Sequence, residues 1–325
     1  MVERVRASAE TPGVANGRVV VFGPSPLLEV SIEPGRRVQA GPHIRVVPGG
    51  QAVWVARMAS TMGSAVTVCG LAGGEVGALL TPMLARERFT TRLVTTADTG
   101  CFVVDQRHEP ATEVASDWAA PPSREVVDDL VATTLDSTTE ADILVVCNPM
   151  PGDALPLDTY TEVVSGAADR GAGVLVDLST PRLDAALRGG PAMVKLNDWE
   201  LAELVRAPVD APSERGRAVR QLRGMGAQRV VETRGPASVI AVDDNGEGVE
   251  LRPPVVGDGR AAGCGDAMTG AMAAALAAGA PWVDAVRRGM AAGAAHYRGR
   301  GESSQLVIEA LAAHCLLYTS DAADD

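Results

Sequence analysis

The chain has 325 residues, with 41 acidic side chains against 29 basic ones and a formal net charge of −12. That length allows one large α/β domain or two ordinary ones, and a 46% hydrophobic share supplies the core. The acidic balance argues against nucleic acid or an anionic membrane as partner, since both call for a basic face.

The opening segment MVERVRASAETPGVANGR lacks the apolar stretch of a signal peptide, and no uncharged apolar run of about 18 residues occurs, so no membrane span is expected. Arg18–Phe22 and His43–Val47 read as strands, and Gly50–Met62 has helical spacing that stops at Gly63. Ala65–Cys69 is strand-like again, followed by a helix from about Glu75 to Glu87. Further strands are expected at Ile143–Cys147, Gly173–Leu178, Ala192–Leu196 and Arg229–Thr233, with helical segments between them. This rhythm predicts an α/β fold, a mostly parallel central sheet covered by helices on both faces. Val30–Val47 and Cys101–Ser116 break it, alternating like strands with no helix between, and predict either a small antiparallel flap or two edge hairpins. Ser238–Val242 and Gly248–Leu251 look antiparallel, and Gly265–Gly279, Pro281–Arg298 and Ser303–His314 look helical. The last segment, CLLYTSDAADD over residues 315–325, does not continue the helical pattern and reads as a non-native or disordered tail. Five scattered cysteines without a C-x-x-C pair read as free thiols, which points to the cytoplasm.

Lys195 is the only lysine among the 29 basic residues. It is not part of G-x-x-x-x-G-K-[ST], so P-loop chemistry is excluded, and the four histidines form no i, i+4 pair for a zinc site. An enzyme built from this chain must work with carboxylates, backbone amides and one lysine. The strongest constellation is Gly263-Cys264-Gly265-Asp266 before the small-residue helix AMTGAMAAALAAG. Glycines at a helix start leave amides open to an anion, and the helix dipole favours negative charge there. Lys195-Leu196-Asn197-Asp198-Trp199-Glu200 falls at a strand end, where α/β sheets bind ligands; a capping box explains Asn197 and Glu200 equally well. Pro48-Gly49-Gly50 and Gly70-Leu71-Ala72-Gly73-Gly74 either admit a ligand close to the backbone or are plain βα turns.

From Val19 to His314 these features resemble the ribokinase-like, or PfkB, sugar kinase family. GGQAVWVARMASTMG and GLAGGEVG match its early glycine signatures, KLNDWE its K-P-N-x-x-E, and RAAGCGD its D-T-x-G-A-G-D. The 1-phosphofructokinase and tagatose-6-phosphate kinase branch is the most similar, through Ser25-Pro26-Leu27-Leu28-Glu29, Asn148-Pro149-Met150-Pro151-Gly152 and Val176-Asp177-Leu178-Ser179-Thr180. Departures are Gln51 for the branch's lysine, Trp54 for an asparagine, Gly100 for an arginine and Phe102 for an asparagine. The resemblance implies a ribokinase-like three-layer αβα domain over residues 18–314, with lid strands from about 30–47 and 101–116. It implies an ATP-dependent kinase that phosphorylates a sugar or sugar-phosphate hydroxyl. Asp266 would be the base; Gly263, Cys264 and Gly265 the anion hole. Lys195, Asn197, Glu200 and Gly235 would serve ATP and Mg²⁺, with Glu200 reaching the metal through water. Glu29, Gly49, Gly50, Gln51 and Trp54 would line the sugar side, and a homodimer through the flap fits the same pattern. The missing cations point to an unphosphorylated or differently placed substrate, with Arg45 and Arg107 as candidate replacements. Rival expectations are a non-catalytic binding protein derived from a kinase, a nucleoside kinase of the same fold, or an NAD-binding oxidoreductase built on Gly257-Asp258-Gly259-Arg260-Ala261-Ala262.

Overall fold

The computed structural model describes residues 17–35, 41–108, 110–299 and 304–318. Strand β1 (Arg18–Phe22) leads to β2 (Leu27–Glu33), β3 (His43–Gly49) and helix α1 (Gln51–Thr61), then β4 (Ala65–Ala72), α2 (Gly74–Leu84) and β5 (Thr90–Thr95). Next come β6 (Cys101–Asp105), β7 (Thr112–Asp117), α3 (Arg124–Ser137), β8 (Ile143–Cys147), α4 (Asp158–Ala168), β9 (Gly173–Asp177) and α5 (Arg182–Leu187). They are followed by β10 (Met193–Asn197), α6 (Asp198–Val205), α7 (Pro212–Gly224) and β11 (Arg229–Thr233). The hairpin β12 (Val239–Val242) and β13 (Gly248–Arg252) precedes α8 (Cys264–Ala277), α9 (Trp282–Gly299), α10 (Gln305–Ala312) and β14 (Leu316–Tyr318).

The large sheet runs β14-β13-β12-β11-β10-β9-β8-β1-β4-β5. It is parallel from β5 to β11 and antiparallel beyond. Its central strands read ILVVC and RVVVF because both faces are covered and both must be apolar. Val20, Phe22, Leu144 and Val176 face one way into a core with Tyr160, Leu183, Leu201 and Val219 from α4 to α7. Val19, Val21, Val145 and Leu175 face the other, against Val53, Leu80, Met272 and Val286 from α1, α2, α8 and α9. This is the expected three-layer αβα architecture.

Three expectations need correction. The flap is a four-stranded sheet, β3-β2-β6-β7, that starts at Leu27; its central pair β2–β6 is parallel, with Glu29 beside Phe102. No hairpin joins these two strands, so nothing local forces them antiparallel. The tail is not wholly outside the fold: Leu316–Tyr318 pairs with Glu250–Arg252 and covers the otherwise open edge of β13. The Gly257–Ala262 segment follows an antiparallel strand with no crossover unit, so the dinucleotide reading fails. Among the described residues no helix is long and apolar enough to cross a membrane.

Small residues let α8 sit deep against its neighbours. A Cβ on Gly270 would lie 2.4 Å from the Val55 carbonyl oxygen, and one on Gly289 would lie 2.5 Å from Met272 Cγ. This close packing fixes where the start of α8 points.

Candidate active site

Gly263 adopts φ 81° and caps α8 without any side-chain cap. A residue with a Cβ is strained in that left-handed region. The Cys264 amide donates to the Ala261 carbonyl at 3.1 Å. It is therefore spent inside the turn, which corrects the expectation of three open amides. Gly263 and Gly265 keep theirs without a backbone partner among the described residues.

Asp266, in the first turn of α8, belongs to a cluster gathered from four places in the chain. The Lys195 ammonium donates to both carboxylate oxygens of Asp177, at 3.2 and 3.1 Å. Thr269 Oγ1 donates to Asp177 Oδ2 at 2.5 Å. A Cβ on Gly265 would come within 3.0 Å of Lys195 Nζ, so the ammonium lies directly against the loop. Burial opposes the lysine charge, but Asp177, Asp266 and Glu200 outweigh it and hold the proton on. Asp266 is raised to about 7 by burial and by the Asp177 carboxylate, against the pull of Lys195 and a hydrogen bond from Gln51. A carboxyl that exchanges its proton near neutrality suits general base work. Gln51 ties this group to the next strand end, accepting from the Asn148 amide at 2.6 Å and donating to the Asp177 carbonyl at 3.4 Å.

Asn197 and Glu200 do form the capping box: Asn197 Oδ1 accepts from the Glu200 amide at 3.0 Å, and Glu200 Oε2 accepts from the Asn197 amide at 2.9 Å. The box does not exhaust Glu200, which is only 8% exposed and is raised first by burial, with Asp177 and Lys195 close enough to act on its charge. Gly235 lies in the exposed turn after β11, at φ 50° with open space around it. Thr233 pairs with Asn197, and Arg234 reaches Asp198 at 3.4 Å, so this turn flanks the same strand ends.

On the flap side, Glu29 is buried, and its pKa is raised by burial against Arg45 and Arg57. A Cβ on Gly49 would lie 3.0 Å from Glu29 Cβ and Oε2, and one on Gly50 (φ 93°) would lie 2.8 Å from the Ser25 carbonyl. The double glycine therefore lets this turn close over β2. Trp54 is half-buried, edge-to-face with His296 at 5.9 Å and stacked under Arg57 at 4.6 Å. Beside the turn opens a cleft lined by Pro26, Leu71, Ala119, Met150 and Leu155, with Thr96, Asp98, Thr99 and Gly100. No lysine or arginine lines it. Arg107 is held bidentately by Asp105, and Arg45 pairs with Glu33 at 3.7 Å, so both candidate replacements already have anionic partners. Arg182 is engaged by Asn148 Oδ1, the Gly152 carbonyl and Ser179 Oγ.

Sequence reasoning missed Asp177, Asn148 and Thr269 as members of the cluster. Asp177 and Asn148 carried a signal, since they fall in matched motifs, whereas Thr269 carried none.

Residues 18–307 match the family described as pfkB family carbohydrate kinase. The chain is 30% identical over 260 residues to ATP-dependent 6-phosphofructokinase isozyme 2 of Escherichia coli K12, across 78% of this chain and 82% of that one. It is 30% identical over 230 residues to 1-phosphofructokinase of Rhodobacter capsulatus, across 69% and 71%. The crystal structure of Escherichia coli phosphofructokinase-2 with potassium superposes at a TM-score of 0.81 with 28% identity, covering 91% of this chain and 98% of that one. Arabidopsis thaliana ribokinase, at 17% identity and a TM-score of 0.69, shares the fold.

Proposed function

The chain belongs to the pfkB family of carbohydrate kinases, and from that premise we propose that this ATP-dependent kinase phosphorylates a hydroxyl of an uncharged sugar or polyol. Asp266 takes the proton of the attacking hydroxyl, and the Gly263 and Gly265 amides with the α8 dipole neutralise the transferred group. Lys195 sets the charge beneath that loop. Gly235 borders the nucleotide, while Glu29, Gly49, Gly50 and Trp54 border the sugar. Gln51, read from sequence as a sugar contact, orients Asp266 as well.

Mg²⁺ fits this site only as an ion held mainly by phosphate oxygens and water. Among the described residues no group of three His, Cys, Asp or Glu side chains is placed to hold a metal. Glu200 Oε1, left over from the capping box, and Asn197 would meet its water shell, as magnesium's retained hydration allows. The ion would supply charge neutralisation on the phosphates.

The absence of a cation at Gln51 and Gly100, with Arg45, Arg107 and Arg182 already engaged by Glu33, Asp105 and Asn148, carries the choice of an uncharged substrate. The activities of the two phosphofructokinase relatives favour a phosphorylated sugar as the second reading. ADP release measured side by side on free sugars, polyols, nucleosides and phosphosugars decides between them. ATP binding without turnover on any of these would favour the non-catalytic alternative. Five unpaired cysteines support a cytoplasmic setting. The exposed Ile44, Val46 and Val114 on the flap support a homodimer through that sheet.

A further inference from the structure

No side chain caps α8, so the shape of the anion loop depends on what grips it from outside. The last turns of α9 do so twice. The Arg260 amide donates to the Tyr297 carbonyl at 2.9 Å, and His296 Nε2 lies 3.1 Å from the Ala262 carbonyl oxygen. The imidazole presses so closely on the loop that a Cβ at Gly263 would lie 2.7 Å from Nε2. His296 is 8% exposed, and burial lowers its pKa, so the ring is neutral near pH 7. Facing a carbonyl, its Nε2 must carry the proton, an assignment that follows from the partner. Trp54, edge-to-face on the ring and itself under Arg57, keeps the imidazole from turning.

In a trans peptide the carbonyl and the following amide point in opposite directions. A hydrogen bond that pulls the Ala262 carbonyl toward α9 therefore aims the Gly263 N–H away from α9. We infer that His296 is a positioning residue for phosphoryl transfer: it orients the Ala262–Gly263 peptide so that the Gly263 amide faces the transferred group. The inference rests on the anion-hole reading above and adds a residue that none of the matched motifs contains.

Steady-state kinetics with MgATP and the best acceptor, together with thermal unfolding, test it on the wild type, His296→Leu and His296→Gln. His296→Leu should lower kcat by about tenfold or more, less than deletion of a donor outright, with KM for the sugar within about twofold. His296→Gln, whose amide can reach the same carbonyl, should recover most of that kcat. Equal losses in both variants, or an unchanged kcat in His296→Leu, would overturn the inference. Should His296→Leu fail to fold, His296→Asn replaces it, too short to reach Ala262; a loss in Asn but not in Gln supports the role, and equal behaviour overturns it. A folded wild type with no turnover on any acceptor overturns the functional reading and this inference together. An active wild type, abolished by Asp266→Asn but indifferent to His296, overturns this inference alone.

Discussion

Asp266 is the carboxyl of the site that titrates near neutrality. Its pKa of about 7 comes from burial and from Asp177, only partly offset by Lys195. The base must be ionised to work, so kcat/KM should rise with pH through about 7. Asp266→Asn keeps the shape but cannot accept a proton, and should lose at least about 100-fold in kcat, the worth of a general base. Near wild-type turnover in this variant would reduce Asp266 to a helix-terminal carboxylate. The same shift has a thermodynamic sign. Between an unfolded pKa of 3.8 and a folded one of about 7, the native state binds more protons than the unfolded chain. Stability from this group therefore falls as pH rises through that window, and the full penalty stands above it. Asp266→Asn should melt higher than wild type at pH 8, with the difference closing toward pH 4. Thermal scans across that range check it, and a pH-independent difference would contradict the shift.

At the scale of single elements, α6 and α8 each do two jobs. The first turn of α6 caps itself through Asn197 and Glu200 while presenting Glu200 to the Asp177–Lys195 cluster. Glu200→Gln keeps an oxygen for the Asn197 amide but removes a charge, so it should raise the Mg²⁺ concentration needed for half-maximal rate and leave unfolding nearly unchanged. An unaltered magnesium dependence would return Glu200 to capping alone. Helix α8 carries Asp266 only because it lies against α1 with no side chain between them at Gly270. Gly270→Ala puts a methyl group 2.4 Å from the Val55 carbonyl, and that backbone atom cannot swing aside. A loss of about 1–3 kcal/mol is expected from overpacking, with kcat falling as α8 shifts. Gly216→Ala in α7 meets only the end of Arg220 at 3.5 Å and should be neutral or stabilising, since alanine outranks glycine in a helix. Denaturant melts of the two variants test the contrast.

Across the whole molecule, the proposed sugar side is built from the flap and the main sheet together, through Glu29 on β2 and the Gly49–Gly50 turn before α1. Gln51 and Gly100 stand where the resembling branch has cations, and of the described arginines on the flap side Arg107 is bound to Asp105, Arg45 to Glu33, Arg57 to Glu87, and Arg182 to Asn148, Gly152 and Ser179 oxygens. Each charge-assisted bond missing from a sugar phosphate costs on the order of 1.5–3 kcal/mol. Two such absences weaken a phosphosugar by roughly a hundredfold or more. Free sugars or polyols should therefore show the higher kcat/KM. A clear preference for fructose 1-phosphate, fructose 6-phosphate or tagatose 6-phosphate would sink this expectation and leave the kinase standing.

Local pattern determined a large part of this protein. Apolar runs such as ILVVC between helical segments, the double glycine before α1, KLNDWE and GCGD were enough for the parallel sheet, the three-layer class and the family. Each of these is written within a few neighbouring residues, where the periods of strand and helix and the freedom of glycine are expressed directly. Tertiary structure alone decided the rest. Asp177, Lys195 and Thr269 meet because β9 and β10 run toward, and α8 begins at, the carboxyl ends of the central strands, although Asp177 and Thr269 are 92 positions apart. The same holds for the parallel pairing of β2 with β6, for β14 on the edge of β13, for the Cys264 amide spent on Ala261 and for His296 beneath Gly263. Such pairings depend on which surfaces close over one another once the chain has collapsed, and no local periodicity records them.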